Sequence, residues 1–185
     1  MAGADAPRWG WHRLNKQAAA RLVAAAGIVP GQLVLDVGAG EGAITAALLA
    51  RGAHVIAVEL HPTRAAFLRR RFAGRPVVVV QADARDLWLP TRPFGVVANP
   101  PFGALSALLR RLTASGSRLE RASLTVPLHV ARRWSSADAP GAARWRITFD
   151  LSVGPRVARS SFSPPAVHDV TVLEIRRRRH RDPRR

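Results

Sequence analysis

Leu33-Val34-Leu35-Asp36-Val37-Gly38-Ala39-Gly40-Glu41-Gly42 is the stretch that decides the fold. Leu33 to Val37 is a short, mostly apolar run that suits a buried strand. It runs straight into closely spaced glycines. Gly42 to Arg51 then places Ile44, Leu48 and Leu49 at helical spacing. A strand that turns through glycine into a helix lets a ligand approach the backbone closely at a helix N-terminus. A structural strand-to-helix turn is the plainer reading of the same residues.

The pattern repeats on the C-terminal side. Val55 to Val58 reads as a second strand, and Pro62 suits the first turn of a helix reaching Phe72. Val77 to Val80 and Phe94 to Ala98 read as the third and fourth strands. Leu105 to Leu112 follows as a helix, Ser123 to Val126 as a fifth strand and Val130 to Trp134 as a short helix. On the N-terminal side, Ala18 to Ala26 is helix-prone and Pro30-Gly31 stops it. Ser135 to Ala143 reads as a loop, and Trp145 to Val153 with Val170 to Ile175 as a closing strand pair. Strands alternating with helices predict an α/β fold with a mostly parallel sheet covered on both faces. The late pair, with no helix between its members, predicts an antiparallel edge.

Polar residues recur at the ends of these strands. Gly38-x-Gly40-x-x-Ala43 with Glu59 also fits a dinucleotide fingerprint. Asp36 tilts the reading, because an acid just before the first glycine repels a pyrophosphate. It suits the cationic amino end of S-adenosyl-L-methionine (SAM). Glu59, after the second strand, is placed to grip two ribose hydroxyls; pairing with His61 or Arg64 is its alternative role. Asp83, after the third, can accept from an adenine amino group, while nearby Asp86 reads as solvated. Asn99-Pro100-Pro101-Phe102 follows the fourth strand. The Asn99 side-chain oxygen and the Pro100 carbonyl can accept from an exocyclic NH2, the prolines hold both ready, and Phe102 offers a stacking face. Four such sites after four successive strands share one rim of an open α/β sheet.

Charge points the same way. The chain carries 29 Lys and Arg against 12 Asp and Glu, a formal net charge of +17. Lys16 is its only lysine. Arginine grips phosphates in pairs of hydrogen bonds and stacks on bases, so this balance favours a nucleic-acid partner. The absence of cysteine excludes disulfides and a thiol nucleophile. Its histidines lack metal-ligand spacing, so no metal is expected. No early apolar run escapes interruption by charge, and none is long enough to span a membrane. A soluble, cytoplasmic protein is expected.

On these residues the chain resembles the rRNA adenine N6-methyltransferases, the family of the Erm macrolide-resistance enzymes and the small-subunit rRNA dimethylases. The likeness runs from about Trp9 to Ile175. It implies a Rossmann-like SAM-dependent methyltransferase with a mostly parallel seven-stranded sheet. It implies a cofactor site formed by His12, Leu14, Asp36, Gly38, Gly40, Glu59, Leu60, Asp83, Ala84 and Asn99. Asn99, Pro100 and Phe102 match the catalytic motif. Residues 1–30 would form an N-terminal segment touching cofactor and RNA within a domain spanning 1–175. Phe162, in Phe162-Ser163-Pro164-Pro165, would close the second face of the target base, with a core position as the equal alternative. Arg132 and Arg133 are candidate RNA contacts, with Arg8, Arg13, Arg110, Arg111 and Arg176 to Arg179 as further ones. Residues 176–185 read as a disordered basic tail standing where the family carries a helical domain. Short mycobacterial-type Erm proteins share that truncation and the Trp9-Gly10-Trp11-His12-Arg13-Leu14 start.

The expected substrate is an adenine of large-subunit (23S) rRNA near the peptidyl-transferase macrolide site, met as naked RNA or in an assembly intermediate by a monomer. Methylation of small-subunit rRNA or DNA adenine, or ribosome-assembly RNA binding without catalysis, are the competing readings.

Overall fold

The computed structural model describes residues 12–178. In chain order these form β1 (Arg13–Leu14), α1 (Lys16–Ala25), β2 (Leu33–Val37), α2 (Ala43–Ala50), β3 (His54–Glu59), α3 (Pro62–Arg71), β4 (Val77–Gln81) and β5 (Phe94–Ala98). Then come α4 (Leu105–Leu112), β6 (Leu119–Pro127), α5 (Leu128–Ser135), α6 (Ala142–Trp145), β7 (Phe149–Val157), β8 (Phe162–Ser163) and β9 (Val170–Arg177). Trp9 to Trp11 and the tail from Arg179 lie outside the described residues.

Seven strands form one sheet in the order β4-β3-β2-β5-β6-β9-β7. From β4 to β6 all neighbours are parallel, whereas β9 runs against both β6 and β7. The reversed strand therefore sits one place in from the edge that β7 forms. Strand order changes direction between β2 and β5, which opens a crevice at their C-terminal ends.

Both sheet faces are buried, as the near-continuous apolar runs require. Leu35, Val37, Val96, Ala98, Leu124 and Ile175 pack with α4, α5 and α6. Val34, Val55, Ala57 and Val97 face the other way, toward α1, α2 and Leu68 of α3. Alternation of the strand positions thus feeds two helical layers.

Three elements differ from the sequence expectation. Trp145 closes α6 instead of opening a strand, because its indole N–H donates to the Pro140 carbonyl at 3.0 Å and its ring is buried. Part of the expected Ser135–Ala143 loop is accordingly helical. Strand β7 runs past Val153 because a register shift absorbs Gly154 and Pro155, whose carbonyls accept from the Thr171 hydroxyl at 2.9 and 3.0 Å. Strand β9 continues through Arg177, so the boundary expected at 176 falls later: Arg176 and Arg177 belong to the sheet, opposite Arg121 and Phe149.

A small two-stranded sheet went unforeseen. Strand β1 pairs antiparallel with β8, Leu14 opposite Phe162, and ties the N-terminal segment across the rim of the main sheet. The Asn15 amide N–H donates to the Ser161 carbonyl at 2.8 Å, and the Asn15 side chain caps α1 by accepting from Ala18.

Candidate active site

Two adjoining cavities lie at the C-terminal ends of β2, β3, β4 and β5. One, of 340 Å³, is lined by His12, Gly38, Glu59, Leu60, Asp83, Ala84, Asn99, Pro100 and Phe102 among others. The other, of 280 Å³, is lined by Leu14, Asp36, Gly38, Gly40, Glu41 and Asn99 among others. Gly38 and Asn99 belong to both walls. Every expected cofactor or catalytic residue therefore lines one of two contiguous spaces.

The glycine turn is held from two sides. The Gly38 and Ala39 amides donate to the Val58 carbonyl, and the Gly40 amide donates to Glu59 Oε2 at 2.8 Å. Gly38 has φ +77°, and a Cβ there would lie 3.0 Å from Pro101 Cδ. Glycine at this position thus serves both the left-handed turn and the close approach of the Asn99-Pro100-Pro101 segment.

Asp36 is almost fully buried at the end of β2. Its Oδ2 accepts from the Thr45 hydroxyl at 2.6 Å, while its Oδ1 is buried with no hydrogen-bond partner. Burial, reinforced by the nearby Glu59 charge and opposed by the Thr45 hydrogen bonds, pushes its pKa up to about 7. A buried, unpartnered carboxylate oxygen beside a glycine turn suits a cationic ammonium.

Glu59 does several things at once. Its Oε2 secures the Gly40 amide, while its Oε1 accepts from the His61 amide at 2.9 Å and from Arg64 Nε at 3.1 Å. The pairing with His61 and Arg64 that competed with a ribose role is thus present. Asp83 accepts from the Arg85 amide and guanidinium, which pull its pKa below the usual carboxylate value. That guanidinium is mostly exposed, so displacing it costs little.

Asn99 is locked. Its Nδ2 donates to the His12 carbonyl at 2.6 Å, and its Oδ1 accepts from the Thr125 hydroxyl at 2.5 Å. A carbonyl can only accept, so Nδ2 must face His12 and Oδ1 must face Thr125. One lone pair of Oδ1 is left for a further donor. Thr125 is wholly buried in β6 and was missed by sequence reasoning. Its one available signal is that it is a polar residue inside an apolar strand. His12 serves through its backbone as well as its ring, which lies 5.9 Å from the Phe102 ring.

Other expected residues stand elsewhere. Phe162, for which a place over the base and a place in the core were equal alternatives, is 4% exposed, packs in the core and lines neither cavity; its neighbour Ser163 lines the smaller cavity. Arg132 and Arg133 are exposed on α5 and also line neither cavity. Arg111 is engaged within the protein, donating to the Arg85 and Leu87 carbonyls. Arg13 pairs with Glu41 at 2.8 Å. Among the described residues no helix is long and apolar enough to cross a membrane.

Comparison with known proteins identifies the family and the fold. The chain is 35% identical over 187 aligned positions to the ribosomal RNA small subunit methyltransferase A of Thermosynechococcus vestitus, covering 91% of this chain and 68% of that protein. It is 38% identical over 149 positions to the mycinamicin-resistance protein MyrB of Micromonospora griseorubida, covering 78% of this chain and 47% of that one. The chain thus spans about half to two thirds of the length of these relatives. The crystal structure of the 23S rRNA methyltransferase ErmE superposes with a TM-score of 0.76 at 29% identity, over 91% of this chain and 70% of that one. The fold is that of a SAM-dependent methyltransferase. The family model described as "Ribosomal RNA adenine dimethylase" matches residues 12–184, and the chain belongs to that family.

Proposed function

We propose that the protein transfers a methyl group from SAM to N6 of an adenine in 23S rRNA, near the peptidyl-transferase macrolide site, and so confers macrolide-lincosamide-streptogramin resistance. The observation that carries the chemistry is the doubly anchored Asn99 amide, at a wall shared by both cavities and beside Pro100 and Phe102. The likeness to the 23S rRNA methyltransferase ErmE supports the large-subunit target, and the likeness to the mycinamicin-resistance protein MyrB supports the resistance role.

The residues present fit the cofactor. The unpartnered Asp36 Oδ1 suits its ammonium, the backbone around Gly38 and Gly40 the methionine portion, Glu59 the ribose and Asp83 the adenine. Leu14, Leu60 and Ala84 line the same two cavities. SAM supplies an electrophilic methyl group on a sulfonium.

The chain's own residues prepare the nucleophile. An adenine inside a helix cannot reach this wall, so the base enters from a loop or flipped out. The N6 lone pair is delocalised into the ring and attacks poorly. The free lone pair of Asn99 Oδ1 and the Pro100 carbonyl accept the N6 hydrogens, which favours tetrahedral nitrogen and localises the pair. Phe102 stacks on the base. Alkylation makes the nitrogen acidic, so its proton leaves without a strong base. Positioning and electrostatics supply the rate.

A small-subunit target is the second reading. The favouring observation is that the small-subunit relative aligns over 91% of this chain, against 78% for the resistance protein. The test is transfer from labelled SAM to 23S rRNA, 16S rRNA and ribosomal particles in a cytoplasm-like buffer, with the base mapped by mass spectrometry. N6-methyladenine in the 23S peptidyl-transferase loop, reduced on the order of 10²–10³-fold by Asn99→Ala, is expected. Label confined to 16S rRNA would overturn the target and keep the chemistry.

A further inference from the structure

The rim opposite the active site carries a second, strongly basic groove. Strand β9 runs against the parallel strands, so Arg176, Arg177 and Arg178 sit where β2, β5 and β6 begin. With Arg92, Arg121 and the Gly27–Leu33 turn they line an open groove of 1130 Å³, in which Glu120 is the one acidic lining residue.

Most of these guanidinium groups keep their charge. Arg121 donates to the Ala26 carbonyl at 2.7 Å. Arg177 donates to the Leu119 and Ser117 carbonyls and lies 4.8 Å over the Phe149 ring. Neutral carbonyls fix the orientation of these groups without cancelling their charge. Arg178 alone is neutralised, by Asp150 at 2.6 Å. The Arg92 and Arg176 side chains make no hydrogen bond or ion pair with another described residue, although Glu174 lies within Coulombic reach of both Arg176 and Arg121. Arg121 and Arg176 are direct cross-strand partners. Like charges so placed repel across a sheet, and the Glu174 carboxylate, within reach of both, is the counter-charge the protein itself supplies.

We propose that this groove is a second RNA-backbone site, taking phosphates of a segment that flanks the target loop; the proposal rests on the RNA-methyltransferase reading above. Planar, pre-oriented guanidinium groups match phosphate geometry better than lysines would. Arg121 and Pro127 lie at opposite ends of β6, so the two rims are about 20 Å apart at ~3.3 Å per residue. An RNA must extend well beyond its target hairpin to reach both.

The test compares wild type with Arg92→Gln/Arg176→Gln, neither residue being part of the cofactor or catalytic machinery. Binding is titrated against salt for a minimal hairpin bearing the target adenine and for a long rRNA fragment containing it. On the long RNA the slope of log affinity against log salt should shrink by about 1.5, at ~0.7–0.9 for each phosphate that is no longer neutralised. On the hairpin it should not change, and SAM affinity and melting temperature should hold. An unchanged slope on the long RNA, or equal losses on both RNAs, overturns the groove. So does a variant-sensitive affinity confined to phosphatidylglycerol vesicles. Failure of the underlying reading is separate: wild type would then methylate neither RNA.

Discussion

In the proposed mechanism the Asn99 amide is the smallest unit on which the activity turns. Two contacts fix it, one from a backbone carbonyl and one from a buried hydroxyl. Thr125→Val keeps the shape and removes only the hydroxyl. We expect kcat to fall about tenfold, equivalent to ~1.4 kcal/mol, with SAM affinity unchanged and Thr125→Ser restoring the rate. Single-turnover methylation decides it; equal rates in the valine variant would remove Thr125 from the positioning machinery. Asp36 makes a second prediction. Its pKa rises from 3.8 unfolded to about 7 folded. Between those values the folded state binds more proton, so stability declines as pH rises through the window and levels off above it. The melting temperature without cofactor should therefore fall from about pH 5 to about pH 8, and Asp36→Asn should flatten that fall. Loading cofactor near neutrality should ionise Asp36 and release a proton, seen as a binding enthalpy that varies with the buffer. A buffer-independent enthalpy would mean that Asp36 does not meet the ammonium.

At the scale of elements, the turn between β2 and α2 and the segment after β5 are one construction. Gly38 lets Pro101 approach, and that approach brings Asn99 to the cavity wall. Gly38→Ala puts a side chain into a left-handed conformation against a ring carbon. Loss of about 1–2 kcal/mol is expected from the backbone alone, with cofactor affinity reduced as well. Thermal melts with and without cofactor check both. A variant that melts normally would show that the turn leaves the left-handed conformation and that Pro101 retreats. The β1–β8 pair does comparable work from the other side, because it carries the His12 carbonyl to Asn99. This pairing was invisible in the sequence: two-residue strands have no periodicity to read. Apolar runs such as Phe94 to Ala98 were plain because both faces of the sheet are buried. Gly154-Pro155 is a break signal locally, which ends the expected strand at Val153, and only the Thr171 hydroxyl shows how β7 survives it.

Over the whole molecule the net charge of +17 works against compactness. Raising salt from about 20 to about 300 mM at constant pH should raise the melting temperature by screening this repulsion. The opposite trend would mean that local ion pairs such as Arg64 with Glu59 matter more than the overall field. The placement of charge matters too. Because β9 is reversed, the arginines at its end lie on the rim away from the cavities, and RNA that meets both must wrap the domain.

Sequence alone determined the alternation of strands and helices, the glycine turn, and the carboxylates and amide at successive strand ends. These follow from local periodicity and from which residue types can meet a ligand. It did not determine Phe162's place: a lone aromatic beside prolines reads equally as stacking platform or core, and burial decided for core. Only the tertiary structure showed that Glu59 braces the glycine turn, that Arg111 is engaged within the fold, and that Thr125 and His12 orient Asn99. Each joins residues far apart in the chain, and neither spacing nor composition encodes where a hydrogen bond closes across a packed sheet.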